Sequence, residues 1–243
     1  MPDKRTHRGP HPADTELFAP AVVPRLREAV ADFSLLLTKG YADKSALKLV
    51  GDRFSLTQRQ RLAVMRSACS DQQLQSRLER RVELAGLAEQ KIAIDGYNLL
   101  ITVEAAMSGG LVFRGRDSCC RDLASIHGTY RKVEETVPAL LLIGESLSAF
   151  GVTDALWLLD SPVSNSGRLK TLIGQIAQES HWDWDIRLSL NPDAELRQTD
   201  QIVATTDSVI LDACQAWTNL AAEIITQRLP QTTIINLAQT PAP

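Results

Sequence analysis

From about residue 89 onward, short and almost wholly apolar runs alternate with longer amphipathic stretches, and this alternation leaves few architectures open. "KIAID", "DALWLLD", "WDIRLSL" and "QIVATT" read as strands, with "TTIINL" as a last one. Between them, "GTYRKVEETVPALLLIGESLSAFG", with a break near Pro138, "SGRLKTLIGQIAQES" and "SVILDACQAWTNLAAEIITQRL" read as helices. Strands joined by helices run parallel, and strands without polar alternation are buried on both faces. The expected fold is therefore α/β, with a mainly parallel sheet over residues 89–238 and a short tail at 239–243.

The first third reads differently. Residues 1–20 carry Pro2, Pro10, Pro12 and Pro20 with little hydrophobicity and are expected to form an extended arm. Residues 21–88 read as an all-helical module. Leu26, Val30, Phe33 and Leu37 recur at helical intervals up to Gly40, and a short helix then breaks at Gly51-Asp52. Another helix starts at Thr57, which has capping-box spacing to Gln60 and buries Leu62, Met65 and Cys69. A last helix opens at Asp71 and runs to about Leu87. The pair around "LVGDRFSLTQRQR" is either a helix-turn-helix holding Arg59, Arg61 and Arg66 toward nucleic acid, or a helical hairpin with arginines outside.

Three separate strands finish on an aspartate: Asp95, Asp160 and Asp207. A parallel sheet gathers its ligands outside the carboxyl ends of its strands, so the three fall on the edge where a site forms. One such aspartate is ordinarily a turn former or a helix cap. Three together repel unless a cation neutralises them, and with no histidine or cysteine at these strand ends the expected cation is magnesium or manganese. Asn98 can hold a phosphate oxygen or a water, and Gly96 clears a sharp backbone turn. The segment "FRGRDSCCRDLASIHGTYR" concentrates Arg114, Arg116, Asp117, Arg121, Asp122, His127, Tyr130 and Arg131. Asp117 and Asp122 are candidate further metal ligands, and Arg116, Arg121 and Arg131 candidate phosphate contacts; a salt-bridged surface loop is the alternative. Ser166, Arg168 and Ser208 lie at helix starts that suit anion binding or ordinary capping. Asp193, Asp200 and Asp212 rank second.

Composition narrows the function classes. No apolar run approaches the roughly 18 residues of a membrane helix, and the N-terminus lacks the apolar core of a signal peptide, so a cytoplasmic protein with no membrane partner is expected. Cys69, Cys119, Cys120 and Cys214 form no C-x-x-C pair and are expected to be buried free thiols. The net charge of −3 divides into +5 up to Lys91 and −8 beyond it, a basic part suited to a polyanion and an acidic part suited to cations. No phosphate-binding G-x-x-x-x-G-K-[ST] loop is present, and position 97, two residues after Asp95, is tyrosine rather than the second aspartate of an aspartyl phosphatase.

"IDGYN", followed by "LLD" and "TTDS", resembles the PIN-like and NYN-type nuclease domains. More closely, the chain resembles the domain of unknown function 434 family, through "RGPHPADTELF", "LLTKGYADKSALKLVGDRFSLTQRQRLAVMRSACS", "IDGYNLL", "RDLASIHGTYRKVEET", "LLDSPVSNSGRL" and "VATTDS". The nuclease resemblance implies a PIN-like three-layer domain that binds magnesium or manganese and cuts RNA. Asp95 matches the first acidic position, Asp207 the aspartate of a late T-x-D element, and Asp160 a strand-end acid of the NYN type. Asp117, Asp122 or Glu134 would stand for the glutamate such nucleases carry on a helix. The function expected is a metal-dependent endoribonuclease with Asp95, Asp160 and Asp207 as catalytic residues. The alternative is a non-catalytic nucleic-acid-binding regulator or adaptor. The oligomeric state is open, a homodimer included.

Overall fold

The computed structural model describes residues 7–124 and 129–238; residues 1–6, His127 and the tail at 239–243 lie outside them. The chain opens with helices α1 (Asp14–Leu17), α2 (Val23–Thr38), α3 (Asp43–Arg53), α4 (Gln58–Ser67) and α5 (Asp71–Glu79). Pro24 sits in the first turn of α2, where its missing N–H costs nothing, and Leu26, Val30 and Phe33 bury the apolar stripe. Thr57 and Gln60 form the capping box that their spacing predicts.

Four details of this region depart from the sequence expectations. Gly51 does not break α3. A Cβ there would stand 2.3 Å from Arg61 Cζ, so the glycine makes room for a guanidinium crossing the helix. The last helix is capped by Ser70, in a second capping box with Gln73, and ends at Glu79 rather than Leu87. Met65, expected inside, is 43% exposed. Residues 7–20 are no extended arm: buried Asp14 accepts two bonds from Arg59 at 2.5 and 2.8 Å, and Phe18 packs edge-on against Phe113.

The α/β part follows as β1 (Lys91–Asp95), α6 (Gly96–Met107), β2 (Val112–Arg114), β3 (Cys120–Arg121), α7 (Thr136–Ala149), β4 (Asp154–Asp160) and α8 (Ser166–Glu179). It continues with β5 (Asp183–Ser189), α9 (Pro192–Gln198), β6 (Ile202–Ala204), α10 (Ser208–Leu211), β7 (Trp217–Thr218), α11 (Leu220–Arg228) and β8 (Ile234–Asn236). Five strands form one sheet in the order β5-β4-β1-β6-β7, and every neighbouring pair is parallel. Alternation along the strands sorts their side chains. Ile92, Ile94, Ala155, Trp157 and Leu159 face the layer of α6, α7, α8 and α11, while Ala93, Leu158 and Val203 face α9, α10 and the loop at Cys119. The result is a three-layer α/β arrangement. Among the described residues no helix is long and apolar enough to cross a membrane.

The expected helix over 208–229 is instead α10 and α11 with the edge strand β7 between them. The helix expected from residue 128 starts only at Thr136, with Pro138 in its first turn. "TTIINL" does form a strand, but outside the main sheet: β8 joins a small sheet in the order β3-β2-β8. That small sheet lies under the N-terminal helices. Phe113, Leu123, Ile235 and Leu237 share one core with Leu26, Phe33, Ala63 and Val64. Residues 21–88 are thus a helical layer completed by the rest of the chain. The four cysteines are free and buried, as expected, and burial pushes the Cys69 thiol up to about 11.

Candidate functional site at the carboxyl edge of the sheet

Asp95 and Asp160 are the last residues of neighbouring strands, and alternation turns both toward the face covered by α9 and α10. In register, Asp95 stands opposite Leu158, so Asp160 lies two residues further out, roughly 8 Å from Asp95 between Cα atoms. Asp193 in the first turn of α9 and Asp207 at the start of α10 join them. Asp95 feels the charges of Asp207 and Asp193, Asp160 that of Asp193, and Asp193 that of Asp207. Among the described residues none of the four carboxylates forms a salt bridge to lysine or arginine.

The residue that opens this edge is not spent on its helix. Asp95 occupies the N-cap position of α6 yet makes no capping bond; its Oδ2 accepts from the Thr205 hydroxyl at 2.8 Å. Burial, and then repulsion from Asp207 and Asp193, push its carboxyl up to about 7 against the bond from Thr205 and the weaker pull of the Asn98 amide, which lies near it without reaching the geometry of a capping bond. Asp160 and Asp193 are also raised, burial coming first in each case. Asp207 does serve as a cap, its Oδ1 accepting from the amides of Val209 and Ile210 at 2.8 and 3.3 Å. Thr205 ties the two together, since its oxygen also accepts from the Asp207 amide at 3.0 Å. Next to it, Thr206 donates its hydroxyl to Asn98 Oδ1 at 2.6 Å, which turns the other end of the Asn98 amide outward as a donor.

Gly96 has a specific reason. A Cβ there would come within 2.6 Å of Leu159 Cδ2 and 2.8 Å of the Leu158 carbonyl, so only glycine lets α6 start this close to β4. Beside Asn98 and Asp207, a cavity of about 340 Å3 separates the edge from the N-terminal helices. Phe33, Leu37, Met65 and Val209 form its apolar side, and Thr102, Asp122 and Ser208 lie on its polar side.

The other candidates divide. Asp122 stays beside this cavity, accepting from the Thr102 hydroxyl at 2.7 Å and from the Ala124 amide at 2.6 Å. Ser208 lies at the rim, Arg131 is exposed on the loop after residue 129, and Arg168 is exposed in the first turn of α8; the bridge between Thr129 and Ser164 holds the two segments together. Asp117 is not part of the acidic edge. It is buried between Arg77 and Arg121, with bonds of 2.6 Å from each, and the two guanidiniums overcome its burial to hold its carboxyl well below the usual range. Arg121 is correspondingly buried and also donates to the Thr206 carbonyl at 2.6 Å, so it braces the site instead of gripping phosphate. Ser166 is buried as well, bonded to the Tyr97 hydroxyl at 2.8 Å and to the Asp160 carbonyl.

The helical arginines are committed internally. Arg59 pairs with Asp14, Arg61 with Asp52, Arg66 with the Asp122 carbonyl, and Arg116 with Asp71 and the Cys69 carbonyl. α4 exposes little beyond Gln58 and Met65, unlike a helix presented to a DNA groove. Glu134 is a surface residue beside His7. α6 does carry a glutamate, Glu104, but it is fully buried among Arg8, Tyr130 and Thr136, about 12 Å along the helix from the edge.

Two family models match the chain. One, described as "Domain of unknown function (DUF5616)", covers residues 84–223, more than half of it. The chain belongs to the DUF5616 family. The other, described as "Protein of unknown function (DUF434)", covers residues 25–80, which hold α3 to α5 and nearly all of α2. The DUF5616 match spans the five-stranded sheet and all four edge aspartates. An uncharacterized protein of Methanocaldococcus jannaschii is 30% identical over 186 residues, 76% of this chain and 88% of that protein. No solved structure matches the chain.

Among the described residues no three His, Cys, Asp or Glu side chains stand together closely enough to hold a metal by themselves. The donor chemistry still fits a hard cation. The four carboxylates offer only oxygen and form no salt bridge to lysine or arginine; Asp95, Asp160 and Asp193 are raised, by burial first and by neighbouring aspartates next, and magnesium is commonly held by one or two carboxylates with water and substrate phosphate completing its shell. Asp95 and Asp207, linked through Thr205, are the pair best placed for this.

Proposed function

We propose that this chain is a metal-dependent phosphodiesterase of endoribonuclease type, with a PIN-like site at the carboxyl edge of its sheet. The observation that supports it is a group of four aspartates, Asp95, Asp160, Asp193 and Asp207, of which Asp95 neither caps its helix nor meets a cation. A bound magnesium or manganese would supply charge stabilisation at phosphorus and an acidified water. Asp95 and Asp207 would hold it, and Thr205 fixes their separation. The outward amide of Asn98 donates to a phosphate oxygen. Arg131 and Arg168 offer exposed positive charge to the strand, and the cavity walled by Phe33, Met65 and Val209 receives the nucleotide beside the scissile bond.

One observation favours the alternative of a non-catalytic nucleic-acid-binding regulator or adaptor in the cytoplasm: the edge aspartates are spread too widely for a three-ligand centre. Incubation of wild type, Asp95→Asn and Asp193→Asn with RNA and DNA in the presence of manganese separates the two. The nuclease reading expects RNA cleavage that falls at least about 100-fold in Asp95→Asn while RNA affinity persists. RNA bound but uncut by wild type would leave the adaptor, and neither binding nor cutting would remove both.

A further inference from the structure

We propose that the cavity at the carboxyl end of β7, between the Arg81–Leu84 segment and the start of α11, is a second binding site. Its ligand is a phosphate ester that carries hydroxyl groups. The cavity measures about 260 Å3 and is lined by Arg81, Arg114, Ser118, Thr218, Asn219 and Ala222. That is near the lower end of the roughly 300–1,000 Å3 range of small-ligand sites and sets an upper size of about one sugar phosphate.

Two buried side chains at this cavity lack a polar partner. Thr218, the last residue of β7, is 0% exposed and Asn219 is 6% exposed, yet Thr218 Oγ1 and Asn219 Oδ1 have no hydrogen-bond partner. Buried polar groups are otherwise nearly always paired, because leaving one dry forfeits its hydration. The Asn219 amide cannot be turned over to hide the fault, since its Nδ2 donates to the Ser118 carbonyl at 3.0 Å. Asn219 is also the N-cap residue of α11 and makes no capping bond, so the first-turn amides of this nine-residue helix keep their partial positive charge.

The surroundings specify the chemistry. Asn219 Oδ1 only accepts, so the ligand must bring a donor, and Thr218 can give or take one bond. The Arg81 and Arg114 guanidiniums and the start of α11 ask for an anion. Arg114 spends one nitrogen on the Thr226 hydroxyl at 3.0 Å. Arg81 lies 5.9 Å from the centre of the Trp217 ring and 3.2 Å from Glu83, whose side chain is 74% exposed and therefore at the mouth. Glu223 also lines the cavity, but its carboxylate is turned to Gln227. Inorganic phosphate supplies charge with few donors, and a free sugar supplies donors without charge. A phosphorylated polyol supplies both, as a free metabolite-sized molecule or as the phosphorylated end of a nucleic-acid strand. The site uses none of the edge aspartates.

Calorimetry and melting curves on the full chain test this with ribose 5-phosphate, inorganic phosphate, ribose and a 5′-phosphorylated oligoribonucleotide. Ribose 5-phosphate should bind saturably and raise Tm, inorganic phosphate should bind about tenfold more weakly, and ribose should do nothing. Thr218→Val removes a hydroxyl that has no partner, so it should leave the ligand-free Tm unchanged or higher while weakening ribose 5-phosphate about tenfold. Arg114→Gln should weaken it by a similar factor if Thr218→Val does not fold. Tighter binding of the oligonucleotide that is lost in the same variants assigns the site to a strand end. Asp95→Asn should leave binding intact, so failure here and failure of the nuclease reading are separate results. Absence of saturable binding by both ribose 5-phosphate and the oligonucleotide, as expected if only water fills the cavity, overturns the proposal, as does binding unchanged in both variants.

Discussion

At neutral pH the Asp95 carboxylate works against the fold. With its carboxyl pushed up from 3.8 to about 7, the folded chain holds a proton where the unfolded chain has released it. The stability contributed by that proton is complete below about pH 3.8, declines as pH rises and is gone above about 7. In chelator, Asp95→Asn should therefore melt like wild type near pH 4 and higher than wild type at pH 8, by on the order of 5 °C. Melting curves across that range check it, and a variant that melts lower at pH 8 would make Asp95 a structural turn residue. The sequence made Asp95 and Asp160 legible because a parallel sheet puts every strand end on one edge, whereas Asp207, expected to finish a strand, lies beyond β6, which stops at Ala204, and caps α10. Asp193 was only a secondary candidate, since its nearness depends on α9 folding across the sheet. Arg59 read as a surface cation because nothing around it announces Asp14, its partner 45 residues upstream.

Elements were legible where local chemistry closes on itself. The Thr57 capping box and the four longer strands of the main sheet follow from patterns a few residues long. α6 left no periodic signal, because ten of its twelve residues are buried and a helix that is apolar all round has no polar stripe to mark its period. β7 is two residues long and held by β6 on one side and by the Arg81 backbone on the other, contacts no local window contains. The close approach of α6 to β4 yields a test. Gly96→Ala forces a methyl group against Leu159 and the Leu158 carbonyl, and should cost about 1–3 kcal/mol in denaturant unfolding. An unchanged midpoint would show that the helix start yields freely, and with it the placement of Asp95 and Asn98.

For the whole molecule, the boundary near residue 88 marks a change of architecture and of family match, but not a break in the core. The buried charges cross it too, since Arg77 of α5 bonds Asp117 and Asp212. Residues 1–88 produced alone lack Phe113, Leu123, Ile235 and Leu237, and should show no cooperative melting transition by circular dichroism. A sharp transition in that fragment would make the helical region an independent domain. The shared core also orders events on the ribosome. The helices emerge first, and Ile235 and Leu237 follow only after the whole intervening α/β part has been translated, so at roughly 5–20 residues per second the helices wait on the order of ten seconds for the strand that completes them. During that interval Phe33 and its neighbours lack their cover, and an apolar surface left open in this way is the kind through which nascent chains aggregate.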